Sequence, residues 1–223
     1  YRMVVNYIQS FSVEREKITI DIKHKHFLKI AYRREEALKR GRLFYSPGDD
    51  EITWVPATLT HRGKSVRADI RLKGSEEEHW KDEHAWSFKV NVKGGDTLFG
   101  MKRFALQGPW TRTFMNEWYW HKLLRHSGLI AQRFDFVDVT LNGKHLPVYA
   151  IEENYEKRLL ENNHLREGPI FLARTGSWGM YGPGTENVRR FREQFLTLKA
   201  IDFYQPNKYS QNAEFMKLVH AAE

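Results

Sequence analysis

Phe134-Asp-Phe-Val-Asp-Val-Thr-Leu141, then Asn142-Gly143, then Leu146-Pro-Val-Tyr-Ala-Ile151 form the most legible stretch of the chain. The first run alternates apolar and polar side chains, the pattern of a strand with one buried face. Asn-Gly is the strongest short-range signal for a two-residue hairpin turn, because both residues tolerate positive φ. The return strand ends in Glu152-Glu153, and Asn154 to Asn163 reads as a short charged helix. Carboxylates at such a corner suit two roles: they complement a helix N-terminus, and they can line a cleft built where strand meets helix.

Working outward, Ile18-Thr-Ile-Asp-Ile22 alternates and predicts a strand. Phe27, Ile30, Ala31, Arg34, Ala37 and Leu38 recur at helical spacing, with Gly41 as the stop. The other face of that helix (Arg33, Arg34, Lys39, Arg40) is basic and reads as a solvated face. Ser46 to Asp50 is a turn. Ile52 to Thr60 and Ser65 to Lys73 form a hairpin around His61-Arg-Gly-Lys64, and Trp86 to Lys93 and Lys102 to Gln107 are further strands. A helix follows with Thr113 as N-cap, an apolar stripe of Met115, Tyr119, Trp120, Leu123 and Leu124, and Gly128 as its end. Beyond the opening hairpin, Gly168 to Ala173 predicts a strand. Gly176 to Gly184 predicts a glycine-rich loop, and Glu186 to Ala200 and Ala213 to Ala222 predict helices.

This order predicts an α+β fold class: an antiparallel-sheet lobe followed by the beginning of a helical second lobe. The expected boundaries are a strand–helix extension over 1–50, a β lobe with one long helix over 51–163, and the start of a truncated helical lobe over 164–223.

With 223 residues and 41% hydrophobic composition the chain can bury a sizeable core. Its formal charge of +8 favours anionic partners without choosing among them. The absence of cysteine excludes disulfides and thiol chemistry. No apolar run has the length of a membrane span, and the start at Tyr1 suggests a fragment or processed form. His79 and His84 sit in the acidic loop Glu76 to His84, but their spacing matches no closed metal site, so a solvated loop is expected. The glycines from Gly176 to Gly184 contain neither a dinucleotide fingerprint nor a P-loop lysine.

A distributed constellation carries more. A strand ending at Gly74-Ser75 turns back into a strand with Lys89. A strand starting at Lys102 feeds a helix bearing Glu117, and the hairpin ends at Glu152-Glu153. A turn that covers phosphates, a lysine that neutralises them and a glutamate that holds the lysine are parts of a nucleotide cleft. The pieces Arg71-Leu-Lys-Gly74, Trp86-Ser-Phe-Lys89, Leu98-Phe-Gly-Met-Lys-Arg-Phe104, Leu106-Gln107, Thr111-Arg112 before Glu117-Trp118, Leu141-Asn-Gly143 and Val148-Tyr149 before Glu152-Glu153 resemble, in order, the CotH-like (spore coat protein H-type) atypical protein kinase family.

The resemblance implies a protein-kinase-like fold, ATP with Mg²⁺ or Mn²⁺ as cofactor, and phosphorylation of a protein Ser or Thr. It makes Arg71, Lys73, Gly74, Ser75, Lys89, Lys102, Glu117, Glu152, Glu153 and Asn154 the candidate nucleotide-binding residues. Gly74 and Ser75 are the expected phosphate-covering turn, Lys89 the phosphate lysine with Lys102 its rival, Glu117 the helical partner, and Glu152 to Asn154 the hinge. The catalytic Asp is expected outside this chain, and Asp202-Phe203-Tyr204 lacks the glycine of a metal-binding Asp-Phe-Gly. The alternative is a non-catalytic module on the same fold that binds a polyanion such as nucleic acid, or a partner protein in a coat or cell-envelope scaffold. The compartment stays open between bacterial cytoplasm and envelope.

Overall fold

The computed structural model describes residues 5, 14–41, 43, 54–173, 201–203 and 211–222, in two compact units, Tyr1–Asn154 and Tyr155–Glu223. The expected turn at 46–50, the glycine-rich loop at 176–184 and the helix at 186–200 lie outside the described residues.

In the first unit the period-two patterns become strands. These are β1 (Glu16–Asp21), β2 (Val55–His61), β3 (Lys64–Leu72), β4 (Phe88–Val92), β5 (Arg103–Gln107), β6 (Phe134–Leu141) and β7 (Lys144–Glu153). They close into a barrel in the order β1-β2-β3-β4-β5-β7-β6. Each neighbouring pair is antiparallel except β1 with β6, which run parallel with Ile18 opposite Val139 and Ile20 opposite Leu141. Ile18, Ile20, Leu59, Ile70, Phe88, Leu106, Val139 and Tyr149 are all at most 1% exposed and fill the interior. The Tyr149 hydroxyl donates to the Trp86 carbonyl at 2.9 Å, so the one polar tip among them is satisfied.

This closed mixed barrel corrects the expected α+β lobe with an open antiparallel sheet. The physical reason is β1. A strand expected in an extension pairs with β2 on one side and β6 on the other, leaving the ring without an open edge. Both predicted turns form in the left-handed conformation, at Arg62-Gly63 (φ 47° and 77°) and Asn142-Gly143 (φ 48° and 80°). The Asn142 side chain also accepts from the Ile22 amide at 2.7 Å, tying this hairpin to the end of β1.

Helix α1 (His24–Arg40) buries Ile30 and Ala37 and ends at left-handed Gly41, as its spacing predicts. One member of its basic face is not solvated. Arg34 donates to the carbonyls of Trp80 (2.7 Å), Lys81 (3.1 Å) and Asp82 (3.1 Å), and its guanidinium lies over the Trp86 ring. It thereby clamps the 76–84 loop.

Helix α2 (Asn116–His126) departs further from its periodicity. Met115, Tyr119, Trp120 and Leu123 are 42%, 62%, 54% and 54% exposed, while His121 is the residue the helix buries. Thr113 is not its N-cap, which is Met115, but takes a left-handed conformation two residues earlier, capping a 3₁₀ turn over Pro109–Arg112.

The second unit contains α3 (Lys157–Asn162), the antiparallel pair β8 (Phe171–Ala173) and β9 (Ile201–Phe203), and α4 (Ala213–Ala222). No helix among the described residues is long and apolar enough to cross a membrane.

Closure through β1 gives a direct test. Ile18→Ala should lower the unfolding free energy by about 2–5 kcal/mol in urea titrations, since it empties a buried site on the closing strand. Tyr32→Ala, on the exposed face of α1, should change it by no more than about 0.5 kcal/mol.

Candidate functional site

Short of the strand ends, where β7 brings Glu153 opposite Phe104, the inward side chains of β3, β4, β5 and β7 are apolar, so the alternate positions form the outer wall. Register aligns them: Arg71 lies opposite Lys89, Lys89 opposite Ala105, and Ala105 opposite Glu152, a single row across four strands. The next row places Asp69, Asn91 and Arg103 together. Ala105 is the one small residue in the first row, and a cavity of about 350 Å³ opens over this wall. Its lining includes Trp54, Arg71, Lys73, Lys89, Asn91, Arg103, Glu152, Glu153 and Asn154, four cations against two carboxylates. The Arg71 guanidinium lies 5.0 Å from the centre of the Trp54 ring, a cation–π contact.

The two carboxylates differ in role. Glu153 is buried and takes a forked ion pair from Arg133. The Arg133 amide also donates to it, at 3.0 Å. The backbone at this corner is engaged as well. Glu153 N–H donates to Arg133 O at 2.9 Å, and Asn154 N–H donates to Arg103 O at 3.0 Å. Glu153 is therefore a structural anchor.

Glu152 instead sits in a knot of polar groups at one end of the cavity. Its Oε2 accepts from Gln107 Nε2 at 2.6 Å and from Lys73 Nζ at 3.3 Å, and Arg112 reaches both oxygens at 3.3–3.4 Å. Lys73 also donates to the Gln107 carbonyl oxygen.

These neighbours set the protonation states. Burial pushes Lys73 down from 10.5 to about 8. Glu152 opposes that shift, while Arg112 and Lys89 add to it. Burial alone would raise Glu152, but Lys73 and Arg112, with bonds from Gln107 and Lys73, hold it below its ordinary value of 4.5. His79, beside the knot, falls from 6.5 to about 4 through burial and the nearby Lys73 and Arg112. It is a neutral ring at pH 7, sharing a 3.1 Å hydrogen bond with the Ser87 hydroxyl.

Of the ten expected site residues, six line the cavity: Arg71, Lys73, Lys89, Glu152, Glu153 and Asn154. Four do not. Gly74 (φ 91°) packs against the His79 ring, which a Cβ would meet at 2.0 Å, and its carbonyl accepts from Trp80 Nε1 at 3.2 Å. The Ser75 carbonyl accepts from the Leu43 amide. The Gly74-Ser75 turn thus holds the 76–84 loop. Lys102 donates to the Gly94 carbonyl, and Glu117 faces His121 within its own helix at 3.5 Å. The lysine that meets a glutamate is Lys73, and that glutamate, Glu152, comes from a strand rather than from α2.

Sequence reasoning missed Trp54, Asn91, Arg103, Gln107 and Arg112. Strand parity could have found Asn91 and Arg103, which share the outward face with Lys89 and Ala105. Among the described residues no group of three or more His, Asp or Glu side chains is arranged to hold a metal ion.

The family model described as CotH kinase protein matches residues 70–217, about two thirds of the chain, and spans every polar group of the cavity except Trp54. No curated protein matches the chain.

The electrostatics predict a specific acid response. Because Glu152 is held below its ordinary value, its ionised form contributes stability that is present above about pH 4.5 and is lost as pH falls through the depressed value. Urea titrations of wild type and Glu152→Gln should therefore differ most above that pH. The two should converge on further acidification.

Proposed function

Because this chain belongs to the CotH kinase protein family, we propose that the outer-wall cavity binds the phosphates of ATP. In this reading the site serves phosphoryl transfer to a Ser or Thr hydroxyl of a protein substrate. One observation supports the phosphate assignment above the rest: Arg71 and Lys89 are directly opposite on neighbouring strands. Two cations so placed can both reach one anion lying over the wall, through charge-assisted contacts.

Arg71, whose guanidinium lies over the Trp54 ring, suits bidentate contact with phosphate oxygens, and Lys89 acts as a point charge beside it. Lys73 approaches from the knot around Glu152, which takes the place expected for Glu117. Bound ATP would supply the transferred phosphoryl group. These residues would orient it and offset its charge, the main contribution a protein makes to this reaction.

No catalytic base is assigned to a described residue. The expected Mg²⁺ or Mn²⁺ finds no donor set here either, since Lys73 and Arg112 engage Glu152 and Arg133 engages Glu153.

Calorimetry with ATP tests the reading. Saturable binding should weaken by about tenfold or more in Arg71→Ala and Lys89→Ala, the loss of a charge-assisted contact. Lys102→Ala, whose ammonium lies outside the cavity, should stay within about twofold. Equal binding in all three variants would sink the assignment. Steeply salt-dependent DNA or RNA binding without nucleotide preference would favour the polyanion module instead.

A further inference from the structure

Gln107 is fully buried, at 0% exposed, yet it is polar and lies next to the cavity rather than in its lining. It occupies the last position of β5, opposite Ala150. Its carbonyl oxygen accepts from the Lys73 ammonium, and its amide nitrogen donates to Glu152 at 2.6 Å. That orientation is dictated by chemistry. An ammonium can only donate and an ionised carboxylate can only accept, so the reverse orientation would set NH₂ against NH₃⁺ and carbonyl against carboxylate.

We propose that Gln107 is the positioning residue of this site: it passes the orientation fixed by Glu152 on to Lys73, and it does so without adding charge. The inference rests on the nucleotide reading given above.

Its neutrality matters as much as its geometry. Lys73, Arg112 and Glu152 sum to one positive charge. A carboxylate at position 107 would cancel that charge and leave this end of the cavity without its pull on phosphate. An apolar residue of similar length would keep the charge but leave the ammonium short of an acceptor in a buried place. Only a neutral group with an acceptor at one end and a donor at the other satisfies both neighbours.

The charged and titratable groups facing Lys73 come from each surrounding element. They are Glu152 from β7, Arg112 from the 3₁₀ turn, Lys89 from β4 and His79 from the 76–84 loop. Of these, Glu152 alone favours the charged lysine, and Gln107 is the neutral acceptor that stands with it.

The test uses the full chain with Gln107→Glu, which is nearly isosteric, and Gln107→Met, which keeps the length but removes both polar ends. Lysine side-chain NMR, with the Lys73 signal assigned by its loss in Lys73→Arg, follows the titration of Lys73 itself. The midpoint should rise in Gln107→Glu and fall in Gln107→Met. Opposite shifts cannot come from general loosening of the fold, which would move both variants the same way. An unchanged midpoint in both variants, or a shift in one common direction, would overturn the role.

ATP affinity measured between pH 6.5 and 8.5 gives the second readout. Gln107→Met should bind about tenfold more weakly at pH 8.5, and Gln107→Glu about tenfold more weakly at pH 6.5. The loss in Gln107→Met should shrink at pH 6.5 as Lys73 regains its proton, while the loss in Gln107→Glu should shrink at pH 8.5, where the wild-type lysine has itself lost much of its charge. Identical pH profiles in the two variants would count against the proposal. Wild type that fails to bind ATP would overturn the nucleotide reading alone, because the NMR titration decides the role of Gln107 without any nucleotide.

Discussion

The parallel pairing of β1 with β6 is the constraint on which the first unit depends. Residues 16–20 meet residues 137–141 across most of the length of that unit. The remaining strands form a continuous antiparallel run that would otherwise end in two open edges. Closing the run buries Ile18 and Ile20 against the same interior that holds Val137, Val139 and Leu141. Closure also gives the wall its curvature and fixes which side chains face out together on β3, β4, β5 and β7. The polar site is thus a product of register, inherited from a barrel whose interior is apolar.

That inheritance explains the mixture of stabilising and costly features in the wall. The Arg133–Glu153 pair and the Arg34 clamp on the 76–84 loop hold the structure around the cavity. Within the cavity, by contrast, Arg71 and Lys89 stand opposite each other on neighbouring strands, Lys73 is buried with its proton loosened, and Glu152 serves two cations. Local conflict surrounded by well-satisfied anchors is the usual signature of a site kept for binding rather than for folding.

The parts of this architecture that could be read from sequence are the local ones. Asn142-Gly143 and Arg62-Gly63 announce their hairpins because positive φ is a property of the turn residues themselves, and Gly41 announces the end of α1 for the same reason. The parallel β1–β6 contact leaves no local trace, so the sheet reads as open. In α2 the periodicity is real, but the stripe it marks faces outward and His121 faces in, which no spacing rule can decide. Lys73, Lys89 and Glu152 read from the sequence as parts of one distributed cleft, with Lys89 expected to meet Glu117. Register across β3, β4, β5 and β7 places them on one wall, where Lys73 meets Glu152. Gln107 belongs to one of the pieces that carry the resemblance, but the sequence assigns it no role, because its partners Lys73 and Glu152 come from other strands.

Closure has a further consequence for recognition. Many proteins recruit extended peptides by letting them join a sheet at an unpaired strand, where backbone hydrogen bonds supply affinity regardless of sequence. Each of the seven strands here already has a neighbour on both sides, so none of them presents a whole open edge. Whatever docks on it must be read by side chains. Discrimination between one polypeptide and another then falls to charge and shape on the outer wall and loops. That same feature spares the unit the edge-to-edge association to which open sheets are prone.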